Sequence, residues 1–315
     1  MFIPFVSTRS SQTLGKRKGG GGGGGRSSSG GRSSSSGGGR SSSGGRSSSS
    51  GSSGGGRSSR PLGSSSGGRT TRPYGNGGGK PTVVPAGQPF AGRSIGGGSR
   101  SQVFGSRAYG SGYPGYGLSR GVAGRGFPFY FWPLVWGSAV GVGTASYLHV
   151  ADEYGQPNNS SRPGGIETTA AFQSNYTSTI FRIMSDNQTI VDLIGDIHNN
   201  CSSRLTSNSA SSPSNAYIYN EAASDAPQPE QAIQYYRASS AVLTLDGYNN
   251  SAALGSEGTP DTPLPEGIDM QLLECLNGTI GSGVLLVDGA GSKWTPPRYG
   301  VVVLLWMIWI MGHVF

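Results

Sequence analysis

No acidic residue precedes Asp152, and residues 1–150 carry 18 Lys and Arg on a background of Gly and Ser. Of the 57 glycines, 38 lie before residue 126. Such a stretch has little apolar surface to offset the entropy of ordering it. Residues 1–125 are therefore expected to form a disordered basic arm, making the N-terminal half largely low-complexity. Any core must come from the remainder, which holds all 16 acids against six Lys and Arg.

The arm reads as a loose Gly-Gly-Arg-Ser-Ser-Ser repeat around Arg26, Arg32, Arg40, Arg46 and Arg57. Its spacing drifts, which excludes a solenoid. An acid-free cationic arm suits polyanions such as anionic cell-wall polymers or lipid head groups, or else serves to keep a linker extended. Phe90, Phe104, Tyr109, Tyr113 and Tyr116 would offer stacking surfaces to single-stranded nucleic acid. However, Arg is followed mostly by Ser instead of by the Gly pairs of RNA-binding arms. The run Tyr109–Gly117 looks more like a self-associating segment. Met1–Ser7 is apolar but too short, and broken by Pro4, for a secretory signal. Lys16-Arg17 is a dibasic pair of the kind cut during secretion.

Residues 126–148 (GFPFYFWPLVWGSAVGVGTASYL) contain no charge and are long enough to cross a bilayer as a helix. Cations before and acids after them fit an inside-to-outside orientation, and the aromatic cluster at one end fits an interfacial belt. Pro128, Pro133 and four Gly oppose a helix. The segment is a candidate transmembrane span, with an apolar segment buried in an extracellular protein as its rival.

Residues 150–290 are the candidate globular unit, a small α+β domain. Alternation over 168–174 and 178–185, separated by Asn175-Tyr176-Thr177, predicts a β-hairpin. Asp186 can cap a helix whose inner face is Ile190, Leu193, Ile194 and Ile197. A second helix is expected from Pro229 to Gly247, although Val242–Leu245 reads equally as strand. Asp269 opens a third, short helix carrying Leu272, Leu273, Leu276 and Ile280. Polar loops are expected at 202–228 and 249–268.

Cys201 and Cys275 are the only cysteines. Both fall on helix faces that can meet in the core, and a disulfide there would add on the order of 4 kcal/mol. Two cysteines are too few for a zinc site, and His149, His198 and His313 share no ligand spacing with them. N-glycosylation sequons start at Asn158, Asn159, Asn175, Asn187, Asn200, Asn249 and Asn277, all after the apolar segment. Their number argues for a lumenal or extracellular domain.

Residues 301–315 (VVVLLWMIWIMGHVF) form a second apolar segment, preceded by a polar spacer from Lys293 to Gly300. Gly289, Ala290, Gly291 and Ser292 supply small residues upstream. Small site, spacer and apolar tail make the pattern of a glycosylphosphatidylinositol signal, so these four are candidate lipid-attachment positions and 291–315 a membrane-directing segment. A plain tail anchor is the alternative.

No catalytic constellation emerges, and neither a cofactor nor a metal is expected. Asp192 and Asp196 lie four apart on the first helix and read, with Thr189, as its solvated face. There is no G-x-S-x-G elbow, and the Gly runs at 19–25 and 96–98 are not followed by the residues of a phosphate loop.

GRGFPFYFWPLVWG (124–137), EYGQPNNSSRPGG (153–165), QPEQAIQYYRASSAVLTLDGYNNS (228–251) and DTPLPEGIDMQLLECLNGTIG (261–281) resemble a family of uncharacterised fungal, mainly basidiomycete, proteins. The resemblance covers roughly residues 85–290. It implies a secreted or surface protein with a Gly/Ser-rich arm and an apolar tail, and it implies no activity. Family members begin with a signal peptide; this chain shows none, so an upstream exon or an internal signal-anchor at 126–148 is expected. The resulting expectation is a non-enzymatic, membrane-associated or cell-surface glycoprotein with a structural or interaction role. Its rivals are a signal-anchored protein with a cytoplasmic basic arm, and a low-complexity nucleic-acid-binding protein.

Overall fold

The computed structural model describes residues 59–62, 68–114, 121–137, 143–256 and 258–289. Residues 1–58 of the expected arm and the apolar tail at 301–315 lie outside them. Two short antiparallel ladders come first, β1 (Arg60–Pro61) with β2 (Thr70–Thr71) and β3 (Thr82–Val83) with β4 (Ser94–Ile95). A single turn, α1 (Ala151–Tyr154), precedes β5 (Glu167–Gln173), β6 (Ile180–Asp186) and α2 (Asn187–Cys201). Then follow β7 (Tyr217–Ile218), β8 (Ala232–Tyr236), β9 (Ala241–Leu245), the one-turn α3 (Ser251–Leu254) and α4 (Met270–Gly283). The main sheet has five antiparallel strands in the order β7-β5-β6-β9-β8. The unit is thus α+β, but richer in sheet than a hairpin with three helices.

The expected hairpin is β5–β6, with Phe172 opposite Phe181. The expected first helix is α2, where the Asp186 carboxylate accepts the Thr189 N–H at 3.0 Å. Its Ile190, Leu193, Ile194 and Ile197 are all fully buried. Asp269 caps α4 in the same way, accepting the Leu272 N–H at 2.9 Å, and Leu272, Leu276 and Ile280 face inward. A side-chain cap of this kind satisfies a donor that the first helical turn leaves open. The helices pack on each other, and Cys201 and Cys275 join them through a disulfide with Cα atoms 6.0 Å apart.

The helix expected over 229–247 is replaced by the hairpin β8–β9. Its turn is Arg237-Ala238-Ser239-Ser240, with φ of 49°, 48° and 59° at the first three residues. Left-handed backbone without Gly or Asn costs on the order of 1 kcal/mol per residue, and it erases the usual sequence mark of a turn. The outlay is offset by Arg237, whose side chain is fully enclosed. Its Nε donates to Ser240 Oγ (2.7 Å), Nη1 to Thr189 Oγ1 (2.9 Å) and the Leu285 carbonyl (3.0 Å). Nη2 donates to Ser185 Oγ (3.0 Å) and to the Asp186 carboxylate. All five guanidinium N–H groups therefore find acceptors. Phe131 lies beneath the same group, 3.5 Å from its carbon to the ring centre.

The strands are covered on both faces, so every residue of β9 is buried. Helices cover one side. The other is covered by chain from the expected arm and the expected span. Val103, Tyr109 and Tyr113 are buried, and Tyr109 meets Tyr235 edge-on at 5.7 Å. Phe127, Phe129, Tyr130, Phe131, Trp132, Leu134, Val135 and Trp136 are each at most 7% exposed. The arm expectation thus fails over 68–114, and Tyr109–Tyr113 form core rather than a self-associating segment. The interfacial-belt reading also fails, since those aromatics are interior. Among the described residues no helix is long and apolar enough to cross a membrane. Residues 127–136 are irregular chain, as Pro128 and Pro133 require.

Glycine is what lets this layer lie close to the aromatics. A side chain on Gly98 would strike the Phe129 ring, and Gly96, at φ +99°, abuts Tyr130. Their N–H groups donate to Pro128 O (2.7 Å) and Phe127 O (2.8 Å), so the low-complexity chain is held by backbone bonds. The same layer buries the face of α2 that the sequence presents as solvated. Thr189 is inaccessible, Asp192 and Asp196 are 3% and 6% exposed, and Arg60 pairs with Asp192 at 2.9 Å.

Candidate functional site

Beside the outer strand β7, a cleft of about 300 Å³ is formed by Val135, Gly137, His149, Ala151, Gln156, Pro157, Asn158, Tyr219, Asn220 and Glu221. Its walls come from four separate stretches, and Glu167 at the start of β5 ties three of them together. The Glu167 N–H donates to Pro157 O (2.8 Å), its carbonyl accepts from Tyr219 N–H (3.0 Å), and its Oε1 accepts from Val135 N–H (3.0 Å). Trp136 N–H donates to Leu148 O at 3.0 Å, fixing the wall that carries His149.

Behind the cleft Glu167 pairs with Arg162 at 2.9 Å, both inside the protein. Arg162 also donates to the carbonyls of Tyr154, Gly155 and Pro133 at 3.1, 3.0 and 2.7 Å. Burial pushes the Glu167 carboxyl up to about 7, against the opposing pull of Arg162 and the Val135 N–H. Its Oε2 is buried without a hydrogen-bond partner. A carboxyl with a raised folded-state pKa binds its proton more tightly in the folded state than in the unfolded one. Its stabilising contribution is therefore full below about 4.5, declines as pH rises to about 7, and is flat above that. Urea midpoints of the Glu167→Gln variant are expected to lose that slope; an unchanged slope would assign the pH dependence elsewhere.

Within the cleft, His149 Nδ1 lies 2.9 Å from Gly137 O, an acceptor, so Nδ1 carries the proton and the neutral ring keeps its acceptor at Nε2. Burial raises the Tyr219 hydroxyl, helped by Glu167 and Glu221, which keeps it a neutral donor. No Lys or Arg is among the lining residues. The chemistry on offer is that of amides, a carboxylate, an imidazole acceptor and an aromatic edge. It suits neutral groups bearing hydroxyl or amide functions far better than anions. Among the described residues no group of three or more His, Cys, Asp or Glu could hold a metal ion.

The structure distributes the sequence-derived site residues widely. Asn158, Asn175, Asn187, Asn200 and Asn249 are exposed, and Asn159 and Asn277 are half-buried. Asn158 alone of the seven lines the cleft. Asn277 accepts from the Tyr236 hydroxyl at 2.6 Å, and the hydroxyl residue of its sequon, Thr279, is buried beside Cys201. Thr189, in the Asn187 sequon, is held by Asp186 and Arg237. Gly289 donates its N–H to Gly77 O at 2.9 Å and closes the described chain, whereas Ala290, Gly291 and Ser292 lie outside it. Arg162, Glu167 and Arg237 match no motif that marks them in the sequence, and Glu167 and Arg237 draw on partners up to 52 residues away.

No family model, curated protein or solved structure matches this chain.

Proposed function

We propose that this is a fungal membrane-associated or cell-surface glycoprotein with a structural or interaction role and no catalytic activity. The observation that carries the reading is the Cys201–Cys275 disulfide inside the core, which belongs to an oxidising compartment. Five sequon asparagines exposed on the same domain support it. The C-terminal segment 291–315 would hold the domain at the membrane, by a lipid at Gly289, Ala290, Gly291 or Ser292 or as a tail anchor. Nine of the 18 Lys and Arg of the basic half lie in residues 1–58, where they would meet anionic wall polymers or lipid head groups. The signal-anchor rival loses its span, because residues 127–136 occupy the core. The nucleic-acid rival loses Tyr109 and Tyr113 as stacking surfaces for the same reason.

The test is full-length protein expressed in a fungal host and treated with an N-glycan-releasing enzyme. A downward gel shift is expected, together with slower migration after reduction. Unchanged mobility in both, with intact protein, would overturn the surface reading and return the basic arm to the front.

A further inference from the structure

Overlapping sequons occupy Asn158-Asn159-Ser160-Ser161, and the fold treats their two asparagines differently. Asn159 is half-buried in a turn: its N–H donates to Gln156 O (3.1 Å), its Oδ1 accepts the Ser161 N–H (2.8 Å), and its carbonyl accepts the Arg162 N–H (3.1 Å). Asn158 is exposed and forms part of the cleft wall with His149, Gln156, Tyr219, Asn220 and Glu221. A glycan on Asn158 therefore starts at the cleft mouth. Its first unit, an N-acetylglucosamine, is neutral and presents the hydroxyl and acetamido groups that this lining suits. Covalent linkage supplies a high effective concentration, so weak contacts suffice to seat the ring.

We propose that Asn158, and not Asn159, carries an N-glycan whose first sugar lies in this cleft, so that the protein's own modification fills it. The inference rests on the glycoprotein reading above. In the attachment step the Asn158 Nδ2 forms a bond to the anomeric carbon of a lipid-diphosphate-linked oligosaccharide. The carbon–oxygen bond to the diphosphate breaks, the lipid diphosphate leaves with the electron pair, and the amide gives up one proton. Nothing is oxidised or reduced. The seated sugar, bonded to Asn158 and in non-covalent contact with the opposite wall, would brace the 156–158 loop against residues 219–221.

Two serine variants of the full chain, secreted from a fungal host, separate the asparagines. Ser160→Ala removes the Asn158 sequon while keeping Asn158 and the Asn159 sequon; Ser161→Ala does the reverse. Glycan release in heavy-oxygen water followed by peptide mass spectrometry should mark Asn158 in the wild type and in Ser161→Ala, and neither asparagine in Ser160→Ala. Hydrogen exchange at 219–221 and 149–151 should be several-fold slower in wild type than in Ser160→Ala. Occupancy of Asn159, or an empty pair with other sequons filled, would overturn the inference alone. So would an occupied Asn158 with equal exchange in the two proteins. A chain without any glycan would instead overturn the reading on which it rests.

Discussion

Arg237→Met is expected to destabilise the domain by roughly 3–5 kcal/mol, because removing one partner of a buried ion pair strands the other. The stranded group is Asp186, and it is also the cap of α2. Four further acceptors lose their donor at once: Ser240 Oγ, Thr189 Oγ1, Ser185 Oγ and the Leu285 carbonyl. The left-handed turn at 237–239 loses its compensation as well. Domains of this size have about 5–15 kcal/mol of stability, so the loss is a large fraction of the total. Arg237→Lys should recover only part of the loss, since an ammonium offers three donors where five acceptors wait. Urea denaturation followed by circular dichroism reads both variants. A change below about 1 kcal/mol for Arg237→Met would show that the turn is held by something other than this side chain.

The second large effect belongs to the disulfide. Cys201 and Cys275 are 74 residues apart in sequence, and closing a loop of that length removes about 4 kcal/mol of unfolded-state entropy in the chain-entropy account. The double variant Cys201→Ala/Cys275→Ala is expected to lose stability by that order. Cys201 is fully enclosed between the helices and Cys275 is half-buried. Truncating both sulfurs to methyl groups therefore leaves only a small void at the helix interface. If oxidised wild type and the double variant have the same urea midpoint, the crosslink contributes nothing and the helix packing alone holds the unit.

What the sequence disclosed depended on how local the determining contacts were. Strands β5 and β6 are legible because a short polar turn separates two runs of fitting length. Helices α2 and α4 are legible because an acidic cap precedes apolar residues at helical spacing. The β8–β9 hairpin is not, since Arg-Ala-Ser-Ser adopts positive φ only when Arg237 is anchored by residues up to 52 positions away. Asp192 and Asp196 look solvent-facing because what meets them is far away in sequence: Arg60 pairs with Asp192, and Gly283 of α4 lies beside Asp196. Residues 68–114 and 121–136 were hidden most thoroughly. Their glycines have no apolar surface of their own, and their order comes from backbone bonds and from aromatics that they permit to approach. The cleft was illegible for a related reason: three of its wall segments become neighbours through Glu167, and the fourth through the Trp136–Leu148 bond.

The pairing of residues 72–100 with residues 284–287 has a consequence for synthesis. Arg72 bonds with Leu286, Gly79 with Val287, and Arg100 Nη1 with Val284 O at 2.8 Å. Each of these contacts closes a loop of close to two hundred residues or more, and such closures come late and slowly in folding. While the ribosome is still producing α4, Arg72, Gly79 and Arg100 lack the chain at 284–287 to which they bond. The nascent chain therefore passes through a stage in which one side of this pairing has been made and the other has not. A holding chaperone would have its greatest effect on yield during that interval.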